Sequence, residues 1–405
     1  MVNLGNTCFL NAAVQALAHC TPLAAFVLQG RFTEDLNRAN PRGTGCVLAT
    51  VFAALLHELF TLRAPGGAGA AEGGAEDAHP QPFPPFDFLY AVAKFHPFLA
   101  SGEMHDAQEL LSWLLDALHE DLNRVHGPPG GGGGPAAADS ARLEALGQER
   151  CAAEAWMEHL RGNQSVIVDL FQGQLRSRLR CPACGAVSVT FDPFLSLTLP
   201  LPHGAESAQL EDLVELFRRE EVLDGDNAWE CHGCRRRVSA HKKLDLWKLP
   251  PVLCVNVKRL EWVEEAPMRY AIRKLRCGVE FPVRGRGELD LGPLAAPEAP
   301  QKDPLLYSLV AVVDHHGDRA DAGHYTATCR RPDGWWHFDD ARTRRLPPGA
   351  PVVGPSSYVL VLERAGAPQE PPAISRQSTA APEAWPHVVN LDWSFLSRAC
   401  SHSAP

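Results

Sequence analysis

The 405-residue chain has no run of 18 uncharged apolar residues, so no α-helical membrane span is expected. Its start is not a continuous apolar run either. Asn3, Asn6, Asn11 and Gln15 interrupt it, and no secretory signal is expected. Positive charge is not in excess: Lys and Arg total 38 against 48 Asp and Glu, for a net charge of −10. That argues against a nucleic-acid binder relying on a basic surface, and suits a basic protein partner only weakly. Cysteine is too sparse for a disulfide scaffold of this size, with 12 in the whole chain. Internal repeats and accessory domains with a recognisable motif are also missing. Four cysteines form two CxxC pairs and the rest are scattered, which fits a reducing compartment, cytoplasmic or nuclear.

What is present supports a sizeable core: 45% of residues are hydrophobic and 21% charged. The length fits two or three domains or one elaborated catalytic domain. Phe9, Leu10, Ala13, Val14 and Leu17 fall at helical spacing after Thr7, a candidate N-cap. A second helix is expected from Cys46 to Leu62. Residues 106–123 (DAQELLSWLLDALHEDLN) form a strong amphipathic pattern with Leu110, Leu111, Leu114, Leu115 and Leu118 as its stripe. Two Gly/Ala/Pro-rich insertions are expected at 64–85 and 127–150, the second with a flexible PPGGGGGP start and a short helix within 139–160. From Val166 the pattern predicts short strands, beginning with VIVDLF, apart from a helix near 209–219. Helices first and strands later indicate an α+β chain. Residues 364–405 are polar and rich in Pro, Ala and Ser, so a disordered tail is expected. Its apolar island, 388–396, is a segment lying on the domain or a short motif for a partner.

Cys8 stands at a predicted helix start, in NLGNTCFLN. A thiol becomes a good nucleophile as thiolate, and a helix N-terminus and a nearby imidazolium both favour that form. His324, in GHY, is the candidate imidazole. Asp339 lies 15 positions further, across a predicted hairpin, where it can orient the ring. Alternation along the strand would send Asp340 to the opposite face. Asn3 could bring an amide donor to an oxyanion. Taken singly, each has an ordinary reading: a buried helical Cys, a strand His, a turn Asn.

Cys181-x-x-Cys184 and Cys231-x-x-Cys234 have knuckle spacing, and four thiolates would bind Zn2+ as a closed structural site. The 46 residues between the pairs exceed a compact ribbon, so each knuckle must end its own hairpin. His232 is read as a bystander. Cys20, Cys46, Cys254, Cys277 and Cys329 read as small core residues.

NLGNTCFLNAAVQAL resembles the Cys box of the ubiquitin-specific proteases, a papain-like family of deubiquitinating enzymes. YSLVAVVDHHGDRADAGHYTATCRRPDGWWHFDD resembles their His box, HDAQELL their Gln-Asp box, and WKLPPVLCVNVKRL an internal strand motif. The resemblance covers about residues 2–363. It implies Cys8 as nucleophile, His324 as base and acid, Asp339 as its orienter, Asp340 in part of that role, and Asn3 at the oxyanion hole. It implies that Asp106, Gln108, His315 and Tyr325 line the channel for ubiquitin's C-terminal tail. For Asp106 alone, a helix N-cap is the competing reading, and both can hold.

The implied architecture is a papain-like fold with a helical thumb at 1–165, then zinc-bearing β fingers (about 175–250) and a β-rich palm within 166–363. Ubiquitin or ubiquitinated proteins are the implied partners, with no nucleic acid, membrane or organic cofactor. Two rivals remain: a protease for a ubiquitin-like modifier, and a catalytically silent ubiquitin-binding scaffold.

Overall fold

Cys8–Ala18 is the first helix of a computed structural model that describes residues 1–61, 81–126, 138–266, 269–281, 287–301, 304–319 and 322–366. Every residue of that helix is buried, because it lies between other helices and a sheet. Cys329, on a sheet strand, donates its thiol proton to the Gln15 carbonyl at 3.6 Å. Thr7 occupies the N-cap position but makes no side-chain cap. Its hydroxyl accepts from Leu4 N at 2.9 Å and donates to Asn3 Oδ1 at 3.2 Å, so it closes the preceding loop instead.

The second long helix runs Val47–Thr61, and the Leu-rich one Ala107–Asp121. All five leucines of the predicted stripe are buried, each worth roughly 2 kcal/mol of apolar burial. Asp121, at the end of that helix, is fully buried and supplies a cap from outside. Its carboxylate accepts from Thr44 N and Thr44 Oγ1 at 2.6 Å, Cys46 N at 3.2 Å and Ala49 N at 3.1 Å, joining the start of one helix to the end of the other. Phe86–Phe95 adds a further helix that the pattern did not single out. Helices Ser140–Leu146 and Gln148–Leu160 occupy the region where one short helix was expected.

The expected strand at VIVDLF is a helix, Val166–Phe171. Ser165 caps it by accepting from Ile167 N and Val168 N. Five of its six residues are buried, so tertiary burial overrides the β-branched preference.

Beyond it the chain is β-rich. One eight-stranded sheet is the palm. From one edge its order is Arg342–Arg345, Gly334–Asp339, His324–Arg331, Leu306–His316, Ser357–Arg364, Val252–Lys258, Ser196–Pro200, with Glu288–Asp290 beside Leu306–His316. A second sheet of five strands carries the hairpin Gly173–Arg180/Val187–Phe194 and the long strand Ala240–Lys248. At its base, buried Asp245 binds Arg176 at 2.6 Å and Arg218 at 3.3 Å. The short pair Trp229–Cys231/Arg236–Val238 lies beyond, so each CxxC does end its own hairpin. Cys20, Cys46, Cys254, Cys277 and Cys329 are buried, as expected of core residues. No single described helix is long and apolar enough to cross a membrane. Most of the first insertion, the Gly-rich start of the second, and the tail with its apolar island lie outside the described residues.

Candidate active site and thiol cluster

Two neighbouring strands bring His324 and Asp339 together. His324 opens one strand and Asp339 closes the next, at the same end of their hairpin. His324 Nε2 and Asp339 Oδ1 are 2.6 Å apart, with both side chains more than a third exposed. With Nε2–H donating to the carboxylate, Nδ1 carries the lone pair that can take a proton.

Cys8 is 2% exposed at the start of its helix. Burial pushes its thiol up, and the Asp340 carboxylate adds to the rise. Hydrogen bonding to the Tyr325 backbone, and to the backbone of Phe9 and Cys8 itself, pulls it down. Burial outweighs these, so the lowered thiol expected from the helix start is not met here. Among the described residues, no hydrogen bond joins Cys8 to His324. Cys8 reaches this strand end through the Tyr325 backbone and the Asp340 carboxylate, residues adjacent to His324 and Asp339, but only the His324–Asp339 pair is closed.

Asp340 departs from its expected place. Its φ of +50° is left-handed, so strand alternation stops at Asp339. Its carboxylate therefore swings back, and ligand atoms of His324, Asp339 and Asp340 all lie within 4.8 Å of one another. The carboxylate bonds to neither of those two. It accepts from Asn3 Nδ2 and from Asn11 Nδ2, each at 2.8 Å. Asn3 Oδ1 meanwhile accepts from Gly5 N at 3.0 Å and Thr7 N at 3.1 Å. Asn3 thus organises the loop that leads into Cys8.

Asp106 caps the Leu-rich helix, its Oδ1 accepting from Gln108 N at 2.7 Å. Its other oxygen accepts from the Tyr358 hydroxyl. Gln108 turns its amide along the helix to Ser112 Oγ at 2.9 Å. His315 stacks on Tyr325 at 4.6 Å, and Tyr358 stands 6.2 Å from both rings. Burial lowers His315 to about 4, so it is neutral, and its Nε2 is buried without a hydrogen-bond partner among the described residues. Asp106, His315 and Tyr325 therefore form one cluster, with Gln108 beside it. Tyr358 was missed in the sequence, because SYVLVL is an unbroken apolar run, buried on both faces, with no alternation to mark one side. Asn11 was missed because a helical Asn among apolar neighbours carries no motif of its own.

The four knuckle cysteines also meet. Cys181 Sγ and Cys234 Sγ are 3.7 Å apart, Cys184 Sγ and Cys231 Sγ 3.5 Å, and all four lie within 4.8 Å. A tetrahedral ion with bonds of ~2.3 Å holds its thiolates about 3.8 Å apart, so the cluster could bind a metal ion. Backbone donors of the Ala183–Cys184 turn lower the Cys181 thiol, while hydrogen bonding to the thiols of Cys184 and Cys181 raises that of Cys234, so the four groups share their protons as one cluster. His232 rests against the Trp229 ring at 5.8 Å and is not one of the cluster.

Comparison with known proteins identifies the family and the fold. The family model described as "Ubiquitin carboxyl-terminal hydrolase" matches residues 1–362. Bovine ubiquitin carboxyl-terminal hydrolase 2 is 33% identical over 369 residues, covering 90% of this chain and 55% of the relative. Human ubiquitin carboxyl-terminal hydrolase 21 is 33% identical over 381 residues, covering 91% of this chain and 61% of the relative. The chain thus spans between about half and three fifths of the length of these relatives. Among solved structures, the SAGA Ubp8/Sgf11/Sus1/Sgf73 DUB module bound to ubiquitin aldehyde superposes with a TM-score of 0.63 at 21% identity, over 90% of this chain and 69% of that one. That likeness shows a shared fold, with the helical, palm and finger sections expected from the sequence. The chain belongs to the ubiquitin carboxyl-terminal hydrolase family.

Proposed function

We propose that this chain is a deubiquitinating cysteine protease that cleaves the isopeptide or peptide bond after the C-terminal glycine of ubiquitin. The observation that carries the reading is the joined His324–Asp339 pair, whose neighbours Tyr325 and Asp340 lie against Cys8, in a chain of this family. Cys8 attacks the glycine carbonyl as thiolate, its proton going to His324 Nδ1. The C–N bond breaks as His324 returns that proton to the leaving amine. A thioester links ubiquitin to Cys8. Water, deprotonated by His324, then releases ubiquitin as carboxylate and restores the thiol. Asp339 holds the ring, and backbone donors beside Cys8 serve the oxyanion, with the second amide N–H of Asn3, the first being spent on Asp340. Asp106, Gln108, His315 and Tyr325 serve the ubiquitin tail. Asp106 does so as a carboxylate able to meet the tail's arginines.

The four cysteines hold Zn2+ as a structural ion that ties the two finger hairpins together. Reduced cysteines suit the cytoplasm or nucleus. No organic cofactor enters the chemistry.

The test is cleavage of a diubiquitin panel by the wild-type chain and by Cys8→Ala, alongside a ubiquitin-based electrophilic probe. Loss of cleavage and of the probe adduct in Cys8→Ala is expected. Equal activity in both chains refutes the nucleophile. A folded wild-type chain that forms no adduct leaves the silent-scaffold reading standing, and preferential cleavage of another modifier moves the substrate.

A further inference from the structure

Lys274 ends the second strand of an antiparallel pair, Leu260–Ala266 with Arg269–Lys274, that lies outside the palm sheet. Its ammonium leaves that hairpin and donates to the His315 carbonyl at 2.6 Å and the Gly317 carbonyl at 2.8 Å. Those two carbonyls flank His316, whose strand position is paired directly with His324. We propose that Lys274 is a positioning residue, fixing the strand end from which His324 is presented to Cys8. The inference rests on the reading of His324 as the catalytic base.

The geometry around the two carbonyls leaves little freedom. Gly317 has φ +105°, and a Cβ there would lie 3.0 Å from Gly323 Cα. A Cβ on Gly323, next to His324, would lie 2.2 Å from the His316 carbonyl oxygen and 2.5 Å from His315 Nε2. The carbonyl that packs on Gly323 is that of His316, between the two that Lys274 binds, so a shift of this strand end is passed to the residue beside His324. His316 adds a second tie, its Nε2 meeting Thr326 Oγ1 at 2.9 Å, but that bond lies within the same strand pair. Lys274 comes from another sheet, so it sets where the pair sits and not only its internal register. An ammonium with two carbonyl acceptors has one resting place, which a neutral chain of equal length does not reproduce.

The neighbours fit a fixed cation. Asp318 pairs with Arg276 at 2.7 Å on the outside. On the inside, Asp314 accepts from Ser357 Oγ at 3.0 Å, and Arg259 spends its guanidinium on the carbonyls of Ser357, Leu275, Cys277 and Gly354. Neither acid is hydrogen-bonded to Lys274 among the described residues, so the two carbonyls are its ligands.

The experiment compares wild type, Lys274→Met and Lys274→Arg. Turnover of a fluorogenic ubiquitin C-terminal amide gives kcat and KM. The downfield proton resonance of the His324–Asp339 hydrogen bond is read by NMR without substrate. Lys274→Met is expected to lower kcat roughly tenfold or more while KM stays within about twofold, and to broaden or remove the resonance. Lys274→Arg, which can also donate to two carbonyls, recovers most of both. Wild-type kcat and an unchanged resonance in Lys274→Met overturn the proposal. So does an arginine variant as impaired as the methionine one with the same loss of unfolding midpoint, since that pattern is merely structural. If the wild type itself turns nothing over, the functional reading has failed, and the resonance alone decides the positioning claim.

Discussion

Asp340 Oδ2 accepts a hydrogen bond from Asn3 Nδ2 at 2.8 Å, across 337 positions of chain. Asn11 donates to the other oxygen from one turn beyond Cys8, so one carboxylate ties both sides of Cys8 to the end of the His–Asp hairpin. Asp340 thereby acts on the Cys8 side of the cleft, while Asp339 acts on His324. Replacing Asp340 with Ala releases two amides and should lower kcat roughly 10- to 100-fold. Asp340→Gly should relieve the left-handed backbone without restoring activity. A glycine variant as active as wild type would show that backbone geometry, and not the carboxylate, is what matters.

Gly323 is a second sensitive point. Its neighbours leave no room for a methyl group, since the nearest obstacle is the backbone oxygen of His316. Gly323→Ala should displace His324 and reduce kcat/KM by about 100-fold, and ubiquitin affinity measured on the Cys8→Ala background should also fall, since the same methyl group meets His315 Nε2. Near-normal turnover would mean that the His324 strand end can yield.

The thiol cluster makes a separate prediction. Purified chain should contain about one zinc, and Cys184→Ser or Cys231→Ser should remove it. Limited proteolysis should then open the segments around 181–184 and 231–234 first. A folded, unchelated chain without zinc by elemental analysis would end this assignment.

Stability should fall in acid, and the sign follows from burial. His19 and His315 are each lowered from the ordinary 6.5 to about 4, chiefly by burial. Their contribution is complete above pH 6.5 and is lost as pH falls toward 4, because the unfolded chain binds those protons first. Asp314 is raised by burial to about 6, so its effect runs the other way, favouring the fold below its ordinary 3.8 and fading as pH rises through 6. Of these three groups the two histidines outweigh the carboxylate; His159, His316 and His337, also lowered by burial, act with them, against Asp35, Glu58, Asp116 and Glu363, which burial raises. Urea midpoints should drop between pH 6.5 and 4.5, and Asp314→Asn should make that drop steeper. A flat profile would mean that His19 or His315 is protonated without cost.

Much of this site is readable because its chemistry is compressed into short motifs. Cys8 at a helix start, the CxxC pairs and the Leu stripe each announce themselves by local spacing. The pairing of His324 with Asp339 is also local, since one hairpin joins them. The helix at Val166–Phe171 was misread because a short apolar run fits either period. The Ser165 cap was the available signal. Asp340 was misplaced because alternation was extended one residue past the end of its strand.

By itself, then, the sequence determined which residue types carry the chemistry, their order, and the α+β division of the chain. Tertiary structure alone decided their partnerships. It set Asn3 and Asn11 on Asp340, Tyr358 on Asp106, and Lys274 on the carbonyls beside His316. The reason is physical. Each bond joins groups far apart in the chain, and their meeting depends on how helix, hairpin and sheet pack, which no local period encodes.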